Sequence, residues 1–302
     1  MKFVKMHGAG NDYIYVDARN MDKDWPLLAQ KMSNRHFGIG GDGLILLHSS
    51  SVADIRMQMF NVDGSEGEMC GNGIRCLVKF ALDRNLIGLF TDGGSSPVTN
   101  GNNVSQNVVR VETLAGTLRV HPIFQDGKVI AARVAMGCPI IKPSDIPVKL
   151  DNANPKISND GPIIDYPCQV NDTVINLTFI SMGNPHAIAF IKQDINEFPL
   201  EILGPMIENH ELFPNRINFE IVNVGDRNRL NMRVWERGSG ETLACGSGAA
   251  AVTVAAHLRG LVENEVNIKL PGGILKTQWD GEGDVYLEGP AKEVFEGEWA
   301  EN

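Results

Sequence analysis

The sequence predicts an α+β protein of two pseudo-symmetric domains, each a mostly antiparallel sheet wrapped around a central helix. Three observations predict it. Short runs of alternating apolar and polar residues, bounded by Gly, Asn and Pro, recur along the chain and read as half-buried strands. Helical patterns are few and do not alternate with the strands, which argues against a doubly wound parallel sheet. A set of short motifs also repeats in the same order, 173 to 175 residues apart.

In chain order, the first strand runs are Tyr13 to Asp17, Ala53 to Phe60, Val108 to Thr113 and Lys128 to Met136. After the midpoint come Val174 to Ile180, His186 to Ile191, Arg216 to Val224, Asn228 to Glu236, Glu265 to Leu270 and Gly283 to Leu287. The clearest helices are Cys70 to Asn85 and Cys245 to Arg259, with weaker patterns at Trp25 to Asn34 and Leu200 to His210. Residues 93–107 and 151–162, rich in Gly, Ser, Asn, Asp and Pro, read as surface insertions.

The repeat ties these elements together. Gly10-Asn11 precedes a strand as Gly183-Asn184 does, at an offset of 173. Gly64-Ser65 and Gly238-Ser239 each follow a strand, at 174. Cys70-Gly71-Asn72-Gly73 opens a helix as Cys245-Gly246-Ser247-Gly248 does, at 175, and Asn34 and Asn209 (near His36 and His210) share that offset. One match is cheap in a chain with 32 glycines; four in order imply two halves of one topology about a pseudo-twofold axis. The halves are expected at 1–135 with 290–302 and at 136–289, with the chain crossing near 133–139, where Gly137-Cys138-Pro139 ends the Lys128 to Met136 strand.

Bulk composition narrows the function. At 302 residues the chain is long enough for two cores, and 43% apolar with 21% charged content is ordinary for a globular protein. The excess of 37 acidic over 27 basic residues, a net charge of −10, argues against nucleic acid or an anionic membrane as partner. No apolar stretch approaches the roughly 20 residues that span a bilayer. Met1 to Met6 lacks the apolar run of a signal peptide, so a cytoplasmic location is expected. Five cysteines spread over the chain are expected to be reduced thiols.

The two cysteine motifs carry the chemistry. Each sets a thiol at the mouth of a helix, where the first four N–H groups lack an internal partner and the dipole adds positive charge. Glycines at the second and fourth motif positions leave that backbone open to an anion. A thiol there is expected to be acidified, and each motif offers half of a carboxylate cradle. Two such motifs facing one another suit stereoinversion next to a carboxylate: one thiolate removes the α-proton, and the opposite thiol delivers a proton to the other face. A lone cysteine at a helix start is usually a packing residue; the duplication is what favours the paired role. Cys76 lies six residues along the same helix, about 9 Å from Cys70 by helical rise, and with Cys138 and Cys168 is read as packing.

Other motifs carry less. Gly38-Ile39-Gly40-Gly41-Asp42-Gly43 spells the dinucleotide fingerprint, but a helical pattern precedes it and the strand-like Leu44-Ile45-Leu46-Leu47 follows, the reverse of the required context. No zinc-ligand spacing, phosphate loop or nucleophile elbow occurs, so neither metal nor cofactor is expected. Asn11, Asn61, Asn184 and Asn218 stand at strand ends or turns, where asparagine is common for local reasons. Taken alone, His186 and Glu236 read as an ordinary surface pair and Arg237 as a solvated group.

Across nearly its whole length the chain resembles the diaminopimelate epimerase family. The resemblance rests on His7-Gly8-Ala9-Gly10-Asn11-Asp12, on Phe60 to Ser65 leading to Met69-Cys70-Gly71-Asn72-Gly73-Ile74-Arg75-Cys76, and on Ser181-Met182-Gly183-Asn184-Pro185-His186. Trp235-Glu236-Arg237-Gly238 leading to Ala244-Cys245-Gly246-Ser247-Gly248 completes it. It implies interconversion of LL- and meso-diaminopimelate without pyridoxal phosphate or metal, on the route to lysine and peptidoglycan. It also implies that Cys70 and Cys245 are the acid–base pair, and that Gly71, Asn72, Gly246 and Ser247 hold the reacting carboxylate by their backbone. Asn11, Asn61, Asn184, Asn218, Glu236 and Arg237 would line the substrate, with His186 and Glu236 biasing thiol ionisation. Some members carry Gln where this chain has Gly43, so that contact is absent here or supplied by backbone. The 93–107 insertion is longer than usual. A proline or hydroxyproline racemase, a silent binding protein on the same fold and a thiol redox enzyme remain alternatives, and a homodimer is left open.

Overall fold

The computed structural model describes residues 1–88, 90–91, 107–150 and 161–300. The expected insertions at 93–107 and 151–162 lie outside these residues except for Asn107, Gly161 and Pro162. Asn107 is buried and opens a strand, so it is not part of an insertion.

The first elements are β1 (Lys2–Gly8), β2 (Asn11–Asp17), α1 (Trp25–Ser33), β3 (Gly43–His48), β4 (Ile55–Asn61), β5 (Glu66–Gly67) and α2 (Gly71–Asp83). Next come β6 (Phe90–Thr91), β7 (Asn107–Thr113), β8 (Gly116–Gln125) and β9 (Lys128–Ala135). After a 3₁₀ turn at Pro143–Asp145 follow β10 (Tyr166–Val170), β11 (Thr173–Ser181), β12 (Pro185–Phe190), α3 (Leu200–Glu208), β13 (Asn218–Asp226), β14 (Arg229–Glu236) and β15 (Gly240–Thr242). The chain ends with α4 (Gly246–Leu258), β16 (Glu265–Leu270), β17 (Gly273–Gln278), β18 (Tyr286–Pro290) and β19 (Lys292–Glu298). Two compact units contain these elements: Met1–Ala135 with Glu288–Asn302, and Met136–Leu287.

In the first unit β1 pairs antiparallel with β2 and β19, and β2 runs parallel to β3 after the α1 crossover. Strand β4 is antiparallel to β3 and β5 and parallel to β7 after α2, while β7, β8 and β9 form a meander. The second unit repeats this connection. Strand β11 pairs with β10 and β12, β12 is parallel to β13 after α3, and β14 is antiparallel to β13 and β15 and parallel to β16 after α4. Each of these parallel pairs is bridged by a helix, as parallel neighbours require. The helices keep the repeat's spacing: α1 and α3 begin 175 residues apart, as do α2 and α4, and each pair is equal in length.

Burial explains why α2 and α4 are the central helices. Residues Gly71 to Ala81 of α2 are all buried, as are Gly246 and Gly248 to Ala256 of α4. A helix apolar on every face, as α4 is, can be stable only inside a core. The polar exceptions are paired. Thr253 Oγ1 donates to the Ala249 carbonyl at 3.0 Å, and Lys79 Nζ donates to Asp83 at 2.6 Å.

Several strands were not expected, for local reasons. Pro122 interrupts the strand pattern of β8, which bulges one residue later between Ile123 and Phe124. In β1 the run Phe3 to Met6 is buried on both faces and so lacks alternation. The expected Gly283 to Leu287 strand begins only at Tyr286, because Gly283 has φ +65° and belongs to the preceding turn. Cys76 and Cys168 are buried as expected, whereas Cys138 is exposed, its Sγ 3.5 Å from Asp284 Oδ1. All five cysteines are free thiols.

Candidate active site

Each unit carries a thiol at the start of its central helix. Cys70 and Cys245 are the N-caps of α2 and α4, with extended backbone at φ −132° and −121°. Each Sγ accepts the N–H three residues on, from Gly73 and from Gly248, both at 3.3 Å. Sulfur here takes the capping role that Ser or Asp oxygen usually fills.

In the first unit the hairpin of β1 and β2 delivers Asn11 to this helix mouth. Ala9 and Gly10 make the two-residue turn, both at positive φ, and Gly8 pairs with Asn11. A Cβ on Gly8 would stand 2.9 Å from the Asn72 carbonyl oxygen, so only glycine permits this approach. Asn72 Nδ2 donates to Asn11 Oδ1 at 2.6 Å, and Arg75 Nη2 donates to Asn72 Oδ1 at 2.7 Å. Arg75 also donates to the Gly71 carbonyl at 2.9 Å and is fully buried. Its motif was legible, but its role was missed; a charged residue one turn into a mostly apolar helix was the available signal. Asn61, ending β4, donates instead to Ser65 Oγ at 3.0 Å. Its neighbour across the ladder is Gly43, where a Cβ would meet the Phe60 carbonyl oxygen at 2.2 Å; the wall there is backbone.

The second unit gathers more polar groups. Cys245 Sγ lies 3.5 Å from Ser247 Oγ, which accepts from Asn184 Nδ2 at 3.2 Å. Asn184 Oδ1 meets His186 Nε2 at 3.1 Å, and His186 Nδ1 meets Glu220 Oε1 at 2.6 Å. Asn218 donates to the Pro185 carbonyl and accepts from the Arg237 N–H, both at 2.9 Å. Arg237 itself is exposed, its Nη1 donating to the Asn215 carbonyl at 3.2 Å. Buried Glu208 of α3 holds this turn from below, accepting from Gly238 N–H and from Trp235 Nε1, both at 2.8 Å. Glu236 accepts from Thr242 Oγ1 at 2.5 Å. Glu220 and Glu208 were not singled out from the sequence. Glu220 stands two residues beyond Asn218, on the same face of a strand that is buried throughout its first half.

Electrostatics overturns one expectation. Helix position alone suggests acidified thiols, yet burial pushes the Cys245 thiol well above its ordinary value, and the nearby Glu236 and Glu220 carboxylates push it further. The Ser247 hydroxyl and the Gly248 N–H oppose this and do not prevail. Burial also raises the Glu236 carboxyl, with Glu220 adding to the rise. Desolvation and neighbouring carboxylates thus act against the acidification expected at a helix mouth. Among the described residues no cluster of three or more His, Cys, Asp or Glu could hold a metal ion.

The model of the diaminopimelate epimerase family matches residues 3–141 and 178–294. This chain belongs to the diaminopimelate epimerase family. Members named diaminopimelate epimerase from Acetivibrio thermocellus, Methanococcus maripaludis and Leptospira biflexa are 48%, 47% and 42% identical to it, over 99% of this chain and 98–99% of theirs. The family is one of isomerases. Among solved structures, a Bacillus anthracis phenazine biosynthesis protein of the PhzF family aligns with a TM-score of 0.65 at 17% identity, covering 99% of both chains. A hydroxyproline epimerase from Agrobacterium vitis with bound trans-4-OH-L-proline aligns at 0.64 and 12%, covering 98% of this chain and 90% of that one. These two likenesses speak for the fold alone. No helix among the described residues is long and apolar enough to cross a membrane.

Proposed function

We propose that this chain interconverts LL- and meso-diaminopimelate without a cofactor, with Cys70 and Cys245 as the acid–base pair at the α-carbon. The observation that carries the reading is the duplicated cap: in both units a cysteine sulfur accepts the third N–H of a 13-residue buried helix. Family membership supplies the substrate. The place of action would be the cytoplasm, on the route to lysine and peptidoglycan precursors.

Abstraction of the α-proton moves charge onto the adjoining carboxylate. The backbone at Gly71, Asn72, Gly246 and Ser247 would bind that carboxylate where two helix dipoles favour negative charge. Asn11, Asn61, Asn184, Asn218, Glu236 and Arg237 would hold the remaining polar groups, including the distal amino-acid centre that does not react. Arg237, exposed and forked, suits a bidentate carboxylate contact. Burial and the neighbouring carboxylates favour the protonated form of Cys245. It therefore enters as the acid when Cys70 removes the substrate proton, and must be ionised first for the reverse reaction. His186 and Glu236 would set how readily it ionises.

The test is solvent-deuterium uptake into diaminopimelate by single variants. Cys70→Ala and Cys245→Ala should each lower epimerisation by about 10³-fold or more while diaminopimelate still binds. Near-wild-type turnover by either variant would refute the assignment.

A further inference from the structure

His186 lies between two acceptors, and this fixes more than its own orientation. Asn184 Oδ1 has only lone pairs to offer, so the 3.1 Å contact requires a hydrogen on His186 Nε2. The 2.6 Å contact of Nδ1 with Glu220 Oε1 requires a second. With Asn184 Oδ1 facing it, Nε2 is the donor in its contact, and Nδ1 and Glu220 Oε1 share a hydrogen between them. Both residues are fully buried, so water does not compete for these bonds.

The direction of each later bond follows. Nε2–H donates to Asn184 Oδ1, which turns the amide Nδ2 towards Ser247 Oγ at 3.2 Å. Having accepted there, the Ser247 hydroxyl keeps its own hydrogen for Cys245 Sγ at 3.5 Å, beside the Gly248 N–H at 3.3 Å. Without Glu220 a neutral His186 carries one hydrogen. Placed on Nδ1, it leaves Nε2 an acceptor, the Asn184 amide reverses, and the Ser247 hydroxyl is drawn from sulfur to Asn184.

We propose that Glu220 is a positioning residue for the isomerase reaction: its carboxylate sets the polarity of the His186–Asn184–Ser247 chain so that it ends in a donor on Cys245. This rests on the reading of Cys245 as one of the two working thiols. Space is kept for the carboxylate, since a Cβ on Gly248 would stand 2.7 Å from Glu220 Oε1. Its other oxygen, Oε2, is buried with no hydrogen-bond partner among the described residues. A buried carboxylate half-satisfied in this way is a poor stabiliser of the fold and is better explained by what it orients. The first unit lacks the device. Ile45 stands 175 residues before Glu220 under the matching glycine, with its Cδ1 2.5 Å from where a Gly73 Cβ would be, and Tyr13 matches His186 in the parallel ladder. Within the second unit the chain of donors ends on Cys245.

The charged and titratable groups facing Cys245 are Glu236 of β14, Glu220 of β13 and, behind Asn184, His186 of β12. The test follows alkylation of Cys245 by iodoacetamide against pH, resolved by peptide mass, alongside kcat and KM for diaminopimelate. Glu220→Ile, which installs the first unit's residue, should lower kcat roughly tenfold, the equivalent of one lost hydrogen bond, with KM within about twofold, while the loss of its charge removes one group that raises the Cys245 pKa. Ser247→Ala should lower kcat by a similar factor and raise the apparent pKa of Cys245, and in the Glu220→Ile background it should change neither. If Glu220 acts by charge repulsion alone, Ser247→Ala raises the Cys245 pKa equally with and without Glu220. A packing role predicts additive losses of kcat. Either result overturns the proposal. Should Glu220→Ile fail to fold, the isosteric Glu220→Gln carries the test; its amide fixes neither His186 tautomer, so the same direction is expected. Alkylation needs no turnover, so an active Cys245→Ala enzyme would refute the two-thiol reading separately.

Discussion

At the residue scale, the same carboxylate chemistry is used for opposite ends. Asp12, next to Asn11, receives Lys5 Nζ at 2.6 Å and Arg35 Nη2 at 2.7 Å. Burial pushes its carboxyl up, but hydrogen bonds from Arg35 and Lys5 outweigh that and hold it below the ordinary value of 3.8. A carboxyl depressed in the folded state contributes stability above its unfolded pKa, and loses it as pH falls through the folded one. Asp12→Asn should therefore cost about 2 kcal/mol in urea unfolding at pH 7, with the difference from wild type shrinking below about pH 4. Around Cys245 the carboxylates instead hold a proton in place. The places of Cys70 and Cys245 at helix mouths were legible from sequence because each precedes a Gly-x-Gly run that opens an apolar helical pattern. Glu220 was not, because Asn218-Phe219-Glu220 reads as ordinary strand alternation with an outward carboxylate. Only the three-dimensional neighbour His186, 34 residues away, shows that the face is buried.

At the element scale, the glycines of the two helix mouths do different work. A Cβ on Gly73 would meet the tip of the Ile45 side chain, a flexible apolar end that can move aside. The same atom on Gly248 would press at 2.7 Å on Glu220 Oε1, which is tied to His186. Gly248→Ala should then lower the thermal midpoint more than Gly73→Ala, with the excess removed in a Glu220→Ile background. Equal losses in the two single variants would show that the carboxylate is free to shift. All four expected helices formed within two residues of their expected ends, because apolar periodicity and the glycine-marked starts agree. Strands were less legible where alternation failed. β1 is buried on both faces, β8 contains Pro122, and β19 is exposed along most of its length, held by pairing with β1 rather than by its own pattern.

At the scale of the whole molecule, the repeat carries the argument. Two units of one topology, with helices of equal length at a constant offset, supply two equivalent thiol positions. Duplication alone would make them chemically alike. The substitutions between them do not: Tyr13 and Ile45 in one unit stand where His186 and Glu220 stand in the other, and Asn72 faces Arg75 where Ser247 faces Cys245. Two thiols held in different surroundings suit a reaction in which one must be ionised while the other is protonated. The most direct measurement starts from LL-diaminopimelate in D₂O and determines isotope content in product and residual substrate at early times. A base and a separate acid predict meso product carrying one deuterium at the inverted carbon, while unreacted LL substrate carries none. Product that retains the original hydrogen, or deuterium entering recovered substrate as fast as product, would contradict the two-thiol account.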